Sequence, residues 1–259
     1  MSCQSMVKCE IQNNIAILTI DNPPVNSLTD TVLAELDACL TSLAKNEDAR
    51  VAILTGSGRS FVAGADIKEF SEWTFDELVC KTRYGQKVLS GLEALPIPVI
   101  AAINGFALGG GLETALACDI RIASEKAKLG LPEATLGIIP GYGGLSRLSH
   151  LIGEAQAKRL IFTAEIFDAQ RALELGIVQE VVAPEQLMDF CLALAGKIAA
   201  VAPLSVRKVK EGVLKRRDCN LTASLENEVL YSMECFYTED RKEGIAAFLE
   251  KRQSIFTNK

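Results

Sequence analysis

In the first half of the chain, short apolar runs alternate with longer stretches whose apolar positions recur every three or four residues. Ile15-Ala16-Ile17-Leu18-Thr19-Ile20 reads as a strand, stopped by Asp21-Asn22-Pro23-Pro24 because proline cannot continue a ladder. Between Thr29 and Ala44, the residues Val32, Leu33, Leu36, Leu40 and Leu43 share a helical face. Residues 51–55 predict a second strand, ended by Gly56-Ser57-Gly58, and residues 75–94 a helix with Pro96 and Pro98 at its exit. Val99-Ile100-Ala101-Ala102-Ile103 is apolar throughout and predicts a strand buried on both faces. A short helix over 112–118 and a strand over 119–123 follow. After Pro140 the pattern becomes helical, over 143–152, 154–162, 168–175, 184–201, 203–216, 221–236 and 240–252. In the last of these, Asp240 serves as N-cap, with Glu243 three residues on. The expectation is an α/β core followed by a helical C-terminal part, with no Gly/Ser/Pro linker and no internal repeat between them.

The 259 residues suffice for one large domain with a small appendage. At 49% hydrophobic and 23% charged, the chain has the composition of a folded globule rather than a disordered one. A net charge of −6 argues against a protein that coats nucleic acid. The one basic cluster, over residues 207–217, reads as a solvated helix face. Eight scattered cysteines without a C-x-x-C pair suggest reduced thiols. The single histidine, His150, excludes a histidine-rich metal site and reads as a partly exposed structural residue; no metal is expected. The N-terminal residues carry no signal-like apolar stretch, and no apolar run approaches the ~18 residues of a membrane span. A cytoplasmic location is the expectation.

Three segments carry candidate chemistry. Arg59-Ser60-Phe61-Val62-Ala63-Gly64-Ala65-Asp66-Ile67-Lys68 is rich in small residues, so its backbone N–H groups are able to approach a ligand. It reads equally as a tight loop entering a helix capped by Asp66. Asn104-Gly105-Phe106-Ala107-Leu108-Gly109-Gly110-Gly111-Leu112-Glu113 sets three glycines at a helix start, where N–H donors suit an oxyanion forming on a carbonyl. It matches neither a P-loop nor a dinucleotide fingerprint, and close strand–helix packing is the alternative reading. In Leu129-Gly130-Leu131-Pro132-Glu133, a carboxyl sits among apolar residues that would raise its pKa toward proton-transfer values. It also reads as an ordinary carboxylate at a helix N-terminus.

Taken in order, these segments resemble the crotonase family, also called the enoyl-CoA hydratase/isomerase superfamily. The resemblance is carried by Phe61 through Phe70, by Pro98 through Glu113, and by Leu131-Pro132-Glu133 with Ile139-Pro140-Gly141. It extends to Tyr237 through Gly244 and Phe248 through Arg252 near the C-terminus. It implies an α/β fold, a crotonase-like spiral of ββα units over residues 1–195. A helical C-terminal trimerisation region over 196–259 would follow, supporting a homotrimer or a dimer of trimers.

The resemblance also implies roles. The N–H groups of Ala65 and Gly110 would hold a thioester carbonyl, while Glu113 and Glu133 would serve as the acid–base pair. Ala63, Ala65, Asp66, Ile67 and Lys68 would line the groove for coenzyme A, with Gly109, Gly110, Pro132 and Gly141 around the reacting group. Phe248 and Lys251 would approach the coenzyme A of a neighbouring subunit, although a solvated helix end is the plainer reading of Lys251. Coenzyme A would be part of the substrate, and no separate cofactor is implied. The implied reaction is reversible hydration of a trans-2-enoyl-CoA to a 3-hydroxyacyl-CoA, with Glu113 acting mainly on water and Glu133 mainly on C2. Isomerisation of a 3-enoyl-CoA and carnitinyl-CoA-type dehydration are the alternatives within the family. An RNA-binding or silent homologue is the alternative outside enzymology, disfavoured by the acidic charge. Tyr142, Leu145, Ser146, Leu131 and Leu112 depart from common family residues and are expected around the site, where they bear on acyl preference. The pathway, whether fatty-acid, amino-acid or aromatic degradation, is left open.

Overall fold

A computed structural model of the chain describes residues 5–259. The reading of the extreme N-terminus as free of a targeting segment falls partly on residues 1–4, outside the described residues. Strands β1 (Val7–Gln12) and β2 (Ile15–Ile20) form a hairpin, and α1 (Asp30–Leu43) follows. Next come β3 (Val51–Gly56), β4 (Ser60–Val62), α2 (Ile67–Glu72) and α3 (Phe75–Glu93). β5 (Val99–Ile103), β6 (Phe106–Leu108) and α4 (Gly110–Leu116) repeat the pattern. β7 (Ile120–Ser124) and β8 (Lys128–Gly130) begin it again and lead into a 3-10 turn (Pro132–Leu136), α5 (Gly144–Ile152) and α6 (Glu154–Thr163). The chain continues through β9 (Ile166–Asp168), α7 (Ala169–Glu174) and β10 (Glu180–Val182). It ends in α8 (Leu187–Ala199), α9 (Pro203–Lys215), α10 (Leu221–Phe236) and α11 (Glu239–Glu250).

The first strand of each repeat (β3, β5, β7) joins a six-stranded sheet ordered β1-β2-β3-β5-β7-β10, parallel except for β1. The second strand (β4, β6, β8) joins a four-stranded sheet ordered β4-β6-β8-β9. The expected spiral of ββα units is thus the architecture found. Its turns stack closely. Asn104 Nδ2, in the β5–β6 turn, donates to the carbonyl of Gly58 at 3.0 Å in the β3–β4 turn above. A Cβ on Gly105 would stand 2.0 Å from the Arg59 carbonyl oxygen, so only glycine permits this approach.

Register puts Ile17, Ile53, Ile100 and Ile120 in one row across the large sheet. That face is covered by α8, whose Leu187, Cys191, Ala195 and Ala199 recur every fourth residue and bury against it. The other face carries Leu18, Leu54 and Ala101 into the main core, with Leu33, Leu36 and Leu40 of α1 and Val88, Leu89 and Leu92 of α3. Each buried leucine or valine among them contributes roughly 1.5–3 kcal/mol. Among the described residues no single helix is long and apolar enough to cross a membrane. The α8–α9 region passes on composition only, as a pair bent by 105°.

Three local readings change. Helix α11 is capped by Thr238, which accepts from the Arg241 N–H; Asp240 is instead buried and accepts the N–H groups of Thr257 and Asn258, tying the C-terminal tail to the helix. The segment starting at 184 opens as a 3-10 turn (Pro184–Gln186) before α8 begins. The basic stretch 207–217 is not simply a solvated face. Lys210 is buried, paired with Asp119 at 2.7 Å and bonded to the Ile97 carbonyl, and Lys208 pairs with Glu211 and Glu234. Glu211 lies one turn along the same helix, whereas Asp119 and Glu234 were invisible in the sequence because one lies far along the chain and the other on α10.

One buried amide fixes the segment that enters the candidate site. Asn26, 2% exposed, donates from Nδ2 to the carbonyls of Ser57 and Ser60 and accepts the Asn22 N–H. The same loop accepts the Ala63 N–H on Val25 and donates from Leu28 to Gly64. Asn26→Ala should leave these buried groups unpaired and lower unfolding free energy by about 1–3 kcal/mol, measured by urea denaturation.

Candidate active site

The three glycines of the second segment each do something different. Gly109 has φ +52°, a conformation other residues rarely adopt, and a Cβ there would lie 3.0 Å from Glu133 Oε1. A Cβ on Gly110 would sit 3.5 Å from the Ala65 nitrogen, so the backbones of β4–α2 and β6–α4 meet at this point. Gly111 packs the helix start directly on the Val62 carbonyl, where a Cβ would come within 1.8 Å. The close strand–helix packing read from this segment is what the geometry shows, and it brings these two stretches of backbone together. Helix α4 has only seven residues, so its individual N–H groups matter more than a long dipole. Among the described residues, the N–H groups of Ala65 and Gly110 donate to no protein acceptor.

Glu113 follows one turn later and is 2% exposed. Its Oε1 accepts the N–H of Tyr142 and of Gly144, both at 2.7 Å. Burial dominates and pushes its pKa up to about 7; the Gly144 N–H bond opposes this, and the charge of Glu133 adds to it. Glu133 sits in the first turn of the 3-10 helix, as its plainer reading held, yet its Oε2 is buried with no hydrogen-bond partner. Burial raises its pKa as well, opposed by its own backbone N–H. The phenol of Tyr142 is pushed up to about 12 by burial and by the adjacent Glu113.

Ala63, Ala65, Ile67, Gly109, Gly110, Glu113, Pro132, Glu133 and Gly141 all line one cavity of about 910 Å³. Asp66 does not line it; it caps α2 by accepting the N–H groups of Lys68 and Glu69, and Lys68 is exposed beside it. Phe248 and Lys251 lie on and just after α11, away from the cavity wall, with Phe248 83% exposed. Of the departures from family pattern, Tyr142, Leu145 and Ser146 line the cavity, whereas Leu112 and Leu131 are buried in the main core. The apolar walls Phe70, Trp73, Leu78 and Ile139 were not anticipated. Phe70 and Ile139 lie in stretches that carry the family resemblance and Leu78 in the helix read over 75–94, but neither signal says what these side chains face. A larger cleft of about 1010 Å³, lined by His150, Arg207 and Lys210 among others, contains neither glutamate.

Residues 10–259 match the family model described as enoyl-CoA hydratase/isomerase. The chain belongs to the enoyl-CoA hydratase/isomerase family. It is 44% identical to the short-chain-enoyl-CoA hydratase of Clostridium acetobutylicum over 246 residues, 94% of each chain. It is 41% identical to the crotonyl-CoA hydratase of Syntrophomonas wolfei, covering 96% of this chain and 97% of that one. The crystal structure of enoyl-CoA hydratase from Bacillus anthracis superposes with a TM-score of 0.95 at 39% identity, covering 98% of this chain and all of that one. The family and the α/β spiral expected from the sequence are those found, and the chain is an enzyme of this family rather than a binding module.

The shifted carboxyl has a consequence for stability. Because the folded pKa of Glu113 is raised, the folded chain keeps a proton that the unfolded chain has released between the ordinary value of 4.5 and about 7. Stability is therefore lost as pH rises through that window. Glu113→Gln should melt close to the parent at acidic pH and above it at alkaline pH, as followed by differential scanning fluorimetry.

Proposed function

We propose that the chain hydrates a trans-2-enoyl-CoA to a 3-hydroxyacyl-CoA, reversibly, with Glu113 and Glu133 as the acid–base pair. The observation that carries this reading is the convergence of two unpartnered backbone donors and two pKa-raised carboxyls on one largely apolar cavity. The names of the relatives support the same substrate class.

The thioester carbonyl oxygen accepts from the Ala65 and Gly110 N–H groups. These donors polarise the conjugated system, make C3 electrophilic and stabilise the enolate that follows attack; each is worth about 2.7–4 kcal/mol in comparable sites. Glu113, held through Oε1 by two amides, presents its other oxygen to a water molecule and takes its proton as the oxygen bonds to C3. Glu133, whose buried Oε2 lacks a donor and whose neutral form burial favours, delivers a proton to C2. The proton gained at Glu113 then returns to Glu133 through solvent, which restores the starting state. The charge of Glu133 disfavours ionisation of Glu113, which adds to the effect of burial there. Coenzyme A enters as part of the substrate, and the apolar wall around Trp73 and Phe70 suits its acyl and pantetheine portions.

The assembly belongs to the same proposal. Val209, Val213, Leu225, Val229, Met233 and Phe248 leave an extensive apolar surface along α9–α11. A trimer, or a pair of trimers, covers that surface and brings Phe248 and Lys251 toward a neighbour's substrate. Light scattering should then give a mass of three or six chains, and a stable monomer would remove this part.

With crotonyl-CoA, loss of the conjugated thioester absorbance should be rapid for the parent. It should fall by at least about 100-fold for Glu113→Gln and for Glu133→Gln. Full activity in either variant overturns its role. Turnover confined to a 3-enoyl-CoA, with none on crotonyl-CoA, points to isomerisation instead.

A further inference from the structure

Of the two amides that hold Glu113, that of Gly144 opens α5 and that of Tyr142 belongs to the turn leading into it, so something must keep that turn in place. Arg147, on the first full turn of α5, reaches back to it. Its Nη1 donates to the Tyr142 carbonyl at 3.0 Å, while Nε and Nη2 both donate to Glu93 Oε2 of α3, at 3.0 and 2.9 Å. The pair is largely buried, with side chains 11% and 18% exposed. The other oxygen of Glu93 accepts from Arg217, just beyond α9. The guanidinium lies so close over Gly143 that a Cβ there would meet Nη1 at 2.2 Å. Two weaker braces complete the turn: Gln86 Nε2 donates to the Gly141 carbonyl at 2.8 Å, and the Tyr142 ring packs on Gly85.

We propose that Arg147 is a positioning residue: anchored on Glu93, it holds the Tyr142–Gly144 turn so that both N–H groups stay on the Glu113 carboxyl. The proposal rests on the hydratase reading for its kinetic consequence, but not for its geometry. Arg147 touches neither substrate nor reacting atoms. It acts through the peptide of Tyr142, and through its own positive charge, which favours ionised Glu113. Around Glu113 the other titratable groups are Glu133 from the 3-10 turn and the phenol of Tyr142. Strands β4 and β6 beneath α4 bring none. Behind Arg147 stand Glu93 and Arg217, with His150 further along the same cleft. A bidentate fork on a carboxylate plus a third donor to a carbonyl is within reach of arginine and not of lysine, which lacks the planar donor set.

The experiment compares Arg147→Gln, Arg147→Lys and Glu93→Gln with the parent, using crotonyl-CoA across the acid and neutral pH range. Loss of the turn removes two donors and one cation from the charged form of Glu113. The limb of kcat/KM that requires ionised Glu113 should therefore move to higher pH in Arg147→Gln. kcat should fall by about 100-fold, the scale of a small misplacement of a reacting group, with KM within about twofold. Arg147→Lys should restore part of the pH limb but little of kcat, and Glu93→Gln should shift both in the same direction by less. Quenching of the single tryptophan, Trp73, by a saturated acyl-CoA reports the cavity wall and should match the parent. An unmoved pH limb with lowered thermal stability means a merely structural arginine and overturns the proposal, as does parent-like kcat in folded Arg147→Gln. If Arg147→Gln does not fold, the Lys and Glu93→Gln variants decide by the same limb. A parent inactive on every enoyl-CoA strikes the hydratase reading alone. The arginine's hold on Glu113 is then read from melting temperature against pH in Glu93→Gln, with and without Glu113→Gln: a pH-dependent difference supports it, and none overturns it.

Discussion

A carboxyl group that is almost wholly removed from water needs donors of its own, and Glu113 obtains them from two backbone amides on a different part of the chain. Much of the surrounding structure follows from that requirement. The Tyr142–Gly144 turn must lie against α4, and α4 must begin tightly enough on β4 to present Glu113 there. A Cβ on Gly144 would stand 3.0 Å from Glu113 Oε1, so glycine at this point lets the turn lie closely against the carboxyl. Burial and the two amides act in opposite directions on the proton affinity of Glu113. Their balance leaves its pKa at about 7, well above the ordinary carboxylate value.

The spiral explains why such a constellation is stable without a metal-like anchor or a long helix. Each ββα turn delivers a strand to the large sheet, a strand to the small sheet and a loop at the same edge. Ala65 and Gly110 come from corresponding places in successive turns. They become neighbours because the Asn104 and Asn26 side chains bond to backbone carbonyls of the adjacent turn and Gly105 lets the backbones approach. The apolar rows on the two faces of the large sheet supply the stability, and the polar brackets determine which loops meet.

Some of this was legible in residue order alone. The helices with strong apolar periodicity, α1 and α3 among them, and the strands β2, β3 and β5 appear close to where the pattern put them. Strands of three residues, such as β4, β6, β8, β9 and β10, were not legible, because three positions cannot display a period of two. Asp240 misled for a related reason. An acidic residue at a helix start has the composition of a cap, and only the folded tail revealed that its carboxylate serves Thr257 and Asn258. Arg147 gave no local signal at all. Its partner Glu93 lies 54 residues earlier in the chain, and Arg217, which bonds the other oxygen of Glu93, lies beyond α9.

What residue order determined by itself was the inventory: which segments are apolar, where glycines free the backbone, and, through resemblance, which family the chain belongs to. It determined these because hydrophobic periodicity and glycine placement are local properties. Tertiary structure alone decided that Glu113 is buried on two amides, that Glu133 keeps an unpartnered oxygen at the cavity, and that Asp66 caps a helix instead of lining the cavity wall. Burial, hydrogen-bond satisfaction and mutual charge depend on what packs alongside. For each of these groups the decisive neighbours come from other turns of the spiral or from the geometry of the folded turn itself.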